Sequence, residues 1–181
     1  MARLPDPLAA ATPEIAELYQ QLAARRGRID GMYRSLLNHP ELTRLVSDLG
    51  TFLRFGSGAL SADLRELAIL WLARRLNAAY EWVKHLPPAR VAGLGDALIE
   101  AVRTGREEGV LTATQKAVID AAVCVLARRS IPQDLQDSLI SHLGLQGLIE
   151  LVVLCGFYQM IAGVIFAFDV PLPEGENDPF R

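Results

Sequence analysis

Residues 151–168, LVVLCGFYQMIAGVIFAF, hold one strongly polar side chain, Gln159, in 18 positions. No other stretch narrows the possible folds so much. A helix that is apolar on every side must either lie in a membrane or be buried by other protein. The length overlaps that of a short transmembrane span. Against spanning, Glu150 precedes the run, Asp169 follows it, and no Lys or Arg flanks either end closely. The run is therefore expected to be a buried helix. A chain of 181 residues has little protein with which to surround such a helix. A neighbouring subunit is expected to cover part of it.

The rest of the chain reads as one helix after another. In TPEIAELYQQLAARRG, Thr12 is a cap, Pro13 the first helical residue and Gly27 a stop. GRIDGMYRSLLNHP is a connector and a short helix ending near Pro40, and PELTRLVSDLGTFLRFG is a helix closed by Gly56 and Gly58. The next helix starts at Ser61, has Asp63 in its first turn, and carries an apolar stripe of Leu64, Leu67, Ala68, Trp71 and Leu72. NAAYEWVKHLPPARVAGL is helical, with Pro87 and Pro88 expected to kink or break it after His85. Gly95 opens DALIEAVRTG, and Thr112 with Gln115 forms a capping box for the helix that follows. PQDLQDSLISHLG and the apolar run complete the set, and VPLPEGENDPFR is expected to be an extended tail. Strand-like alternation does not occur over a useful length. The expected fold class is all-α, with seven or eight helices and short connections.

Composition limits the partners. The formal net charge is −3, with no basic patch or long acidic tail, so neither nucleic acid nor a membrane surface is expected as a partner. Cys124 and Cys155 sit in apolar runs 31 residues apart, without a CxxC or a Cys/His ladder. They read as reduced core thiols of a cytoplasmic protein. The N-terminus has no apolar run leading to a cleavage site, so a signal peptide is not expected.

Three polar residues stand out. Glu81 and His85 are four apart, on one face of a helix, among Tyr80, Trp82 and Val83. On a surface they would be an ion pair of about 0.5 kcal/mol, for which Lys84 competes. Partly buried, they would be an acid–base pair able to move a proton near neutrality. Glu66 is about one position off the apolar stripe, which makes it a solvated residue paired with Arg65 or Arg74. His39 reads as a helix-junction cap and His142 as a helix-end charge. No third metal ligand joins Glu81 and His85, so no metal site is expected. GLGDALIEAVRTG lacks the ending of a phosphate loop, and FGSGAL is no nucleophile elbow.

Residues 60–102, LSADLRELAILWLARRLNAAYEWVKHLPPARVAGLGDALIEAV, resemble the carboxymuconolactone decarboxylase family, which includes alkyl hydroperoxidase D-like proteins. The likeness extends more loosely over a core of 38–172, leaving 1–37 as a helical extension and 173–181 as a tail. It implies an all-helical homo-oligomer, a trimer or hexamer. The peroxidase branch carries Glu, eleven residues, Cys, two residues, Cys, three residues, His. The matching positions here are Glu66, Ala78, Glu81 and His85. With both cysteines replaced, the thiol chemistry of that branch is not expected.

The decarboxylase branch has no cysteine pair, and its resemblance implies a cofactor-free lyase acting on a small cyclic carboxylic acid or lactone. His85 would be the acid–base, Glu81 and Glu66 would orient it or relay the proton, and Tyr80 and Trp82 would line the pocket. Arg74 or Lys84 would bind a substrate carboxylate. An alkyl hydroperoxidase D-like peroxidase recruiting Cys124 or Cys155, and a non-catalytic helical oligomer, are the alternatives.

Overall fold

Eight helices account for most of the chain in the computed structural model, which describes residues 3–27, 29, 31–56 and 58–181. They are α1 (Pro13–Arg26), α2 (Gly31–Leu36), α3 (Pro40–Phe55), α4 (Ala62–Arg75), α5 (Ala79–Val91), α6 (Asp96–Thr104), α7 (Ala113–Leu126) and α8 (Gln133–Ala167). No strand occurs among the described residues. The all-α class and the helix number agree with expectation. The expected connector before α2 and the FGSGAL segment include Arg28, Asp30 and Ser57, which lie outside the described residues.

Side chains mark several helix starts by accepting otherwise free main-chain N–H groups. Thr12 accepts from Ile15 at α1, His39 Nδ1 from Leu42 at α3, and Thr112 and Gln115 close the reciprocal box of α7. The end of α4 uses Asn77, one of the few residues that tolerate a left-handed backbone (φ 54°). Its N–H reaches the Arg74 carbonyl at 3.2 Å, and the Ala78 N–H reaches Ala73 at 2.7 Å. This closure turns the chain sharply and starts α5 back along α4.

α4 is the central element. It packs against α5, α6, α7 and α8, and every residue from Glu66 to Ala73 is buried. The expected stripe is therefore too narrow: Ile69 and Leu70 are as inaccessible as Leu67 and Leu72. Each such Leu or Ile stabilises the fold by about 1.5–3 kcal/mol through burial. Glu66, which periodicity alone puts in solvent beside Arg65 or Arg74 and the resemblance puts in the site, is 2% exposed, because the stretch from Glu66 to Ala73 is covered on every side.

α5 also departs from expectation, since it continues through Pro87 and Pro88 to Val91. Proline's fixed φ is itself helical; the loss is two main-chain donors. Ala89, fully buried in the main core, holds the segment in place.

α8 joins the last two expected helices across Gly144, whose φ of 70° and ψ of 167° are open only to glycine. Its most apolar 18-residue window has a mean hydropathy of 2.1, enough by length and composition to cross a membrane, yet half of that window is buried inside the chain. Leu151, Leu154, Cys155, Tyr158 and Ile161 form the buried side. Ile149, Val152, Val153, Met160 and Phe166 remain exposed, as do Leu45, Leu49, Phe52 and Phe55 of α3.

The N-terminal part has a small core of its own, Leu18, Leu22, Ile29 and Leu37, and Tyr33 packs against both this cluster and the main one. The C-terminal tail has no helix but is anchored. Arg103 donates to the Pro179 carbonyl at 2.9 Å, and Phe180 meets Trp82 edge-on with ring centres 5.4 Å apart.

Candidate acid–base site

The α4–α5 corner sets two acids and an imidazole facing one another. Glu66 lies one turn into α4, and Glu81 and His85 follow at consecutive turns of α5. His85 Nδ1 is 2.8 Å from Glu66 Oε2. On its other side, His85 Nε2 is 2.9 Å from the hydroxyl of Tyr158, which α8 supplies. Glu81 Oε2 is 3.6 Å from the same Nε2, beyond a normal hydrogen bond. All four side chains are buried.

The electrostatics separate the two acids. Burial drives the Glu66 carboxyl upward, but the hydrogen bond and charge of His85, with Arg54 and Arg65, outweigh it and hold it below the ordinary carboxylate range. At Glu81 burial prevails over the nearby positive charges of His85, Arg54 and Lys84, and its carboxyl is pushed up. Burial also holds the Tyr158 hydroxyl well above the usual phenol range, reinforced by Glu81. An ionised Glu66 accepts the Nδ1 hydrogen of His85. That leaves Nε2 to accept from the Tyr158 hydroxyl. One acid is thus suited to orient the ring and the other to carry a proton, the division that neighbouring carboxyls in acid–base sites use.

Glu81, His85 and Tyr158 border a hollow of about 80 Å³ between α2, α3, α5 and α8, and Glu66 stands behind His85, outside its wall. Tyr80, expected in its wall, is there, with Glu81, Lys84 and His85. The close approach of α2 depends on Gly31, where a Cβ would collide with the Tyr80 hydroxyl. Trp82 is not in the wall. It points toward the tail and packs on Phe180, because consecutive positions on α5 face different sides. Arg74, a candidate for binding substrate, is also elsewhere: its Nε donates to the Arg103 carbonyl at 2.7 Å and its guanidinium lies over Phe180.

Two wall residues escape sequence reasoning. Tyr158 carries a hydroxyl within the apolar run, and a buried tyrosine hydroxyl needs a partner. That was the available signal, but Gln159 looked more polar. Gln159 only bonds the Cys155 carbonyl of its own helix. Arg54, in the last turn of α3, has nothing in its sequence context to distinguish it.

No cysteine borders the hollow. Cys155 is fully buried, and burial pushes its thiol up to about 12. Cys124 is half-buried and faces a separate open groove with Asp120 and Arg129. Among the described residues, no group of three His, Cys, Asp or Glu side chains is arranged to hold a metal.

The fold is that of the alkylhydroperoxidase AhpD core. An uncharacterized peroxidase-related protein from Ralstonia eutropha JMP134, described as having that core, superposes with a TM-score of 0.80 at 17% identity, over 99% of this chain and 94% of its own. An uncharacterized peroxidase-related protein from Silicibacter sp. TM1040 gives 0.82 at 20% identity, over 99% and 96%. A protein of unknown function from Agrobacterium tumefaciens, described as a putative antioxidant defence protein AhpD, gives 0.68 at 19%, over 80% and 99%. No family model and no curated protein matches the chain.

Proposed function

We propose that the chain is a proton-transfer enzyme of the carboxymuconolactone decarboxylase type, acting without a cofactor on a small cyclic carboxylic acid or lactone. The observation that carries this reading is the His85 ring, held between Glu66 at 2.8 Å and Tyr158 at 2.9 Å, with Glu81, whose carboxyl burial pushes up, beside it. Decarboxylation breaks the bond to the carboxyl carbon and releases carbon dioxide. The electron pair moves into the neighbouring carbonyl as an enolate, and the carbon then takes one proton. Glu81 supplies that proton and is left ionised; Nε2 of His85 then takes a proton from solvent and passes it to Glu81, while Glu66 fixes the ring through Nδ1 and balances the charge the ring carries in passing. Tyr158 holds Nε2 in line.

The test is turnover of a carboxymuconolactone-type substrate in deuterated water. Carbon dioxide release with one deuterium at the carbon that lost it is the expected result. An absence of turnover across such lactones would remove the decarboxylase reading.

The structural neighbours' descriptions as peroxidase-related favour a second reading, thiol peroxide chemistry. The positions of the two thiols weigh against it. In the native protein, Cys155 is expected to resist an aromatic disulfide reagent until the chain unfolds, because it is both inaccessible and protonated. Rapid labelling of both thiols, or a disulfide formed on adding peroxide, would favour the peroxidase instead.

The exposed apolar residues of α3 and α8 support a homo-oligomer, for which the resemblance implies a trimer or hexamer. Sedimentation equilibrium is expected to give a multiple of the 19.8 kDa chain mass. A monomer at about micromolar concentration, where a stable interface would persist, would contradict this.

A further inference from the structure

We propose that Arg54 makes the hollow an anion site, its guanidinium receiving one carboxylate of the substrate. This deepens the proton-transfer reading and rests on the hollow being where substrate binds. Arg54 comes from the last turn of α3 and forms part of the wall opposite Glu81 and His85. Its Nε is buried and has no hydrogen-bond partner among the described residues. A buried guanidinium donor without an acceptor is costly, and protein groups or a ligand ordinarily satisfy it.

The two other charged orphans belong to groups already in ion pairs, and Ser47 Oγ is a neutral hydroxyl. Arg65 Nε lies 3.6 Å from Glu66. Glu107 Oε2 belongs to a carboxylate whose other oxygen accepts from both Trp71 and Arg75. Arg54 acts on Glu66 and Glu81 only at longer range: among the described residues no carboxylate lies within ion-pair distance of it. Glu66 is committed to His85, and burial keeps Glu81 toward its neutral form. The guanidinium is nevertheless oriented, with its carbon 5.0 Å from the centre of the Phe55 ring.

Size selects what can enter. Ordinary small-molecule pockets run to about 300–1,000 Å³, and this hollow has about 80 Å³. It therefore takes a carboxylate and the carbon bearing it, with the rest of the molecule lying toward Tyr33 and Phe157.

The probe is 2-furoate, a small planar carboxylate, with neutral 2-furamide as its isostere, titrated calorimetrically into the full chain. Furoate is expected to bind the unaltered protein and furamide to bind at least about tenfold more weakly, the difference a charge-assisted pair confers. Arg54→Gln is expected to lose that discrimination, and Arg54→Lys, which keeps the charge but not the fork, to retain part of it. Melting curves establish that each variant is folded. Comparable binding of furoate and furamide by the unaltered protein overturns the proposal without any variant. So does no furoate binding, or unchanged furoate affinity in folded Arg54→Gln. Calorimetry reads binding without turnover, so an inactive chain that still selects furoate through Arg54 refutes only the decarboxylase, and an active one that does not refutes only the anion site.

Discussion

Replacing His85 with glutamine is expected to lower turnover of a carboxymuconolactone-type substrate by about 10²–10⁴-fold, the usual contribution of one general acid–base group. Glutamine is the informative choice. Its amide can still donate toward Glu66 and accept from Tyr158, so the polar links between α4, α5 and α8 need not be lost. It cannot shuttle a proton. The fold should therefore persist while the rate falls, and circular dichroism alongside the assay separates the two.

A purely structural network predicts the reverse. There the glutamine variant would turn over as the parent does, or the parent would not turn over at all, and only stability would respond. Tyr158→Phe grades the same argument. It removes one hydrogen bond to Nε2 and leaves the shuttle in place, so its rate loss should be well below that of His85→Gln.

The helices were legible because their signals are local. Thr12, His39, Thr112 with Gln115, and Gly56 each act within a few residues, and the structure uses each of them at a helix end. The prolines misled because their cost is local and their compensation is not: Ala89 is held by packing against the core. Glu66 was misplaced in solvent by the same limitation. Periodicity assigns one apolar face to a helix, and from Glu66 to Ala73 α4 has no outward face because neighbouring helices cover it.

The site was legible only along α5, where spacing alone puts Glu81 and His85 together. Family register, not periodicity, singled out Glu66. Tyr158 lies 73 positions from His85 and Arg54 comes from a third helix, so only the tertiary arrangement brings them to the imidazole. Trp82 shows the converse. Adjacent to Glu81 in the chain, it serves the other side of α5 and closes on the tail.

The two acids should affect stability in opposite directions when each is replaced by glutamine. Glu66 has a folded-state value below the unfolded one of about 4.5. Its ionised form is therefore favoured in the folded chain. Its contribution is complete above the unfolded value and is lost as pH falls through the folded value. Glu66→Gln should thus lower unfolding free energy at about pH 7 by up to about 1.5–3 kcal/mol, the range for a hydrogen bond to a charged group. That deficit should shrink toward about pH 3 as the parent carboxylate protonates.

Glu81 is shifted the other way. The folded chain favours its neutral form, so it weighs against folding once pH rises from the unfolded value through the folded one. Glu81→Gln keeps the shape, removes the ionisation, and should raise stability at about pH 7 by about 1 kcal/mol. The gain should shrink as pH falls to the unfolded value of about 4.5 and vanish by about pH 3, where the parent acid is neutral in both states. Urea unfolding at the two pH values measures both effects. Losses of the same sign at neutral pH would mean that Glu81 is ionised and paired like Glu66. The proton assigned to it would then have to come from His85 alone.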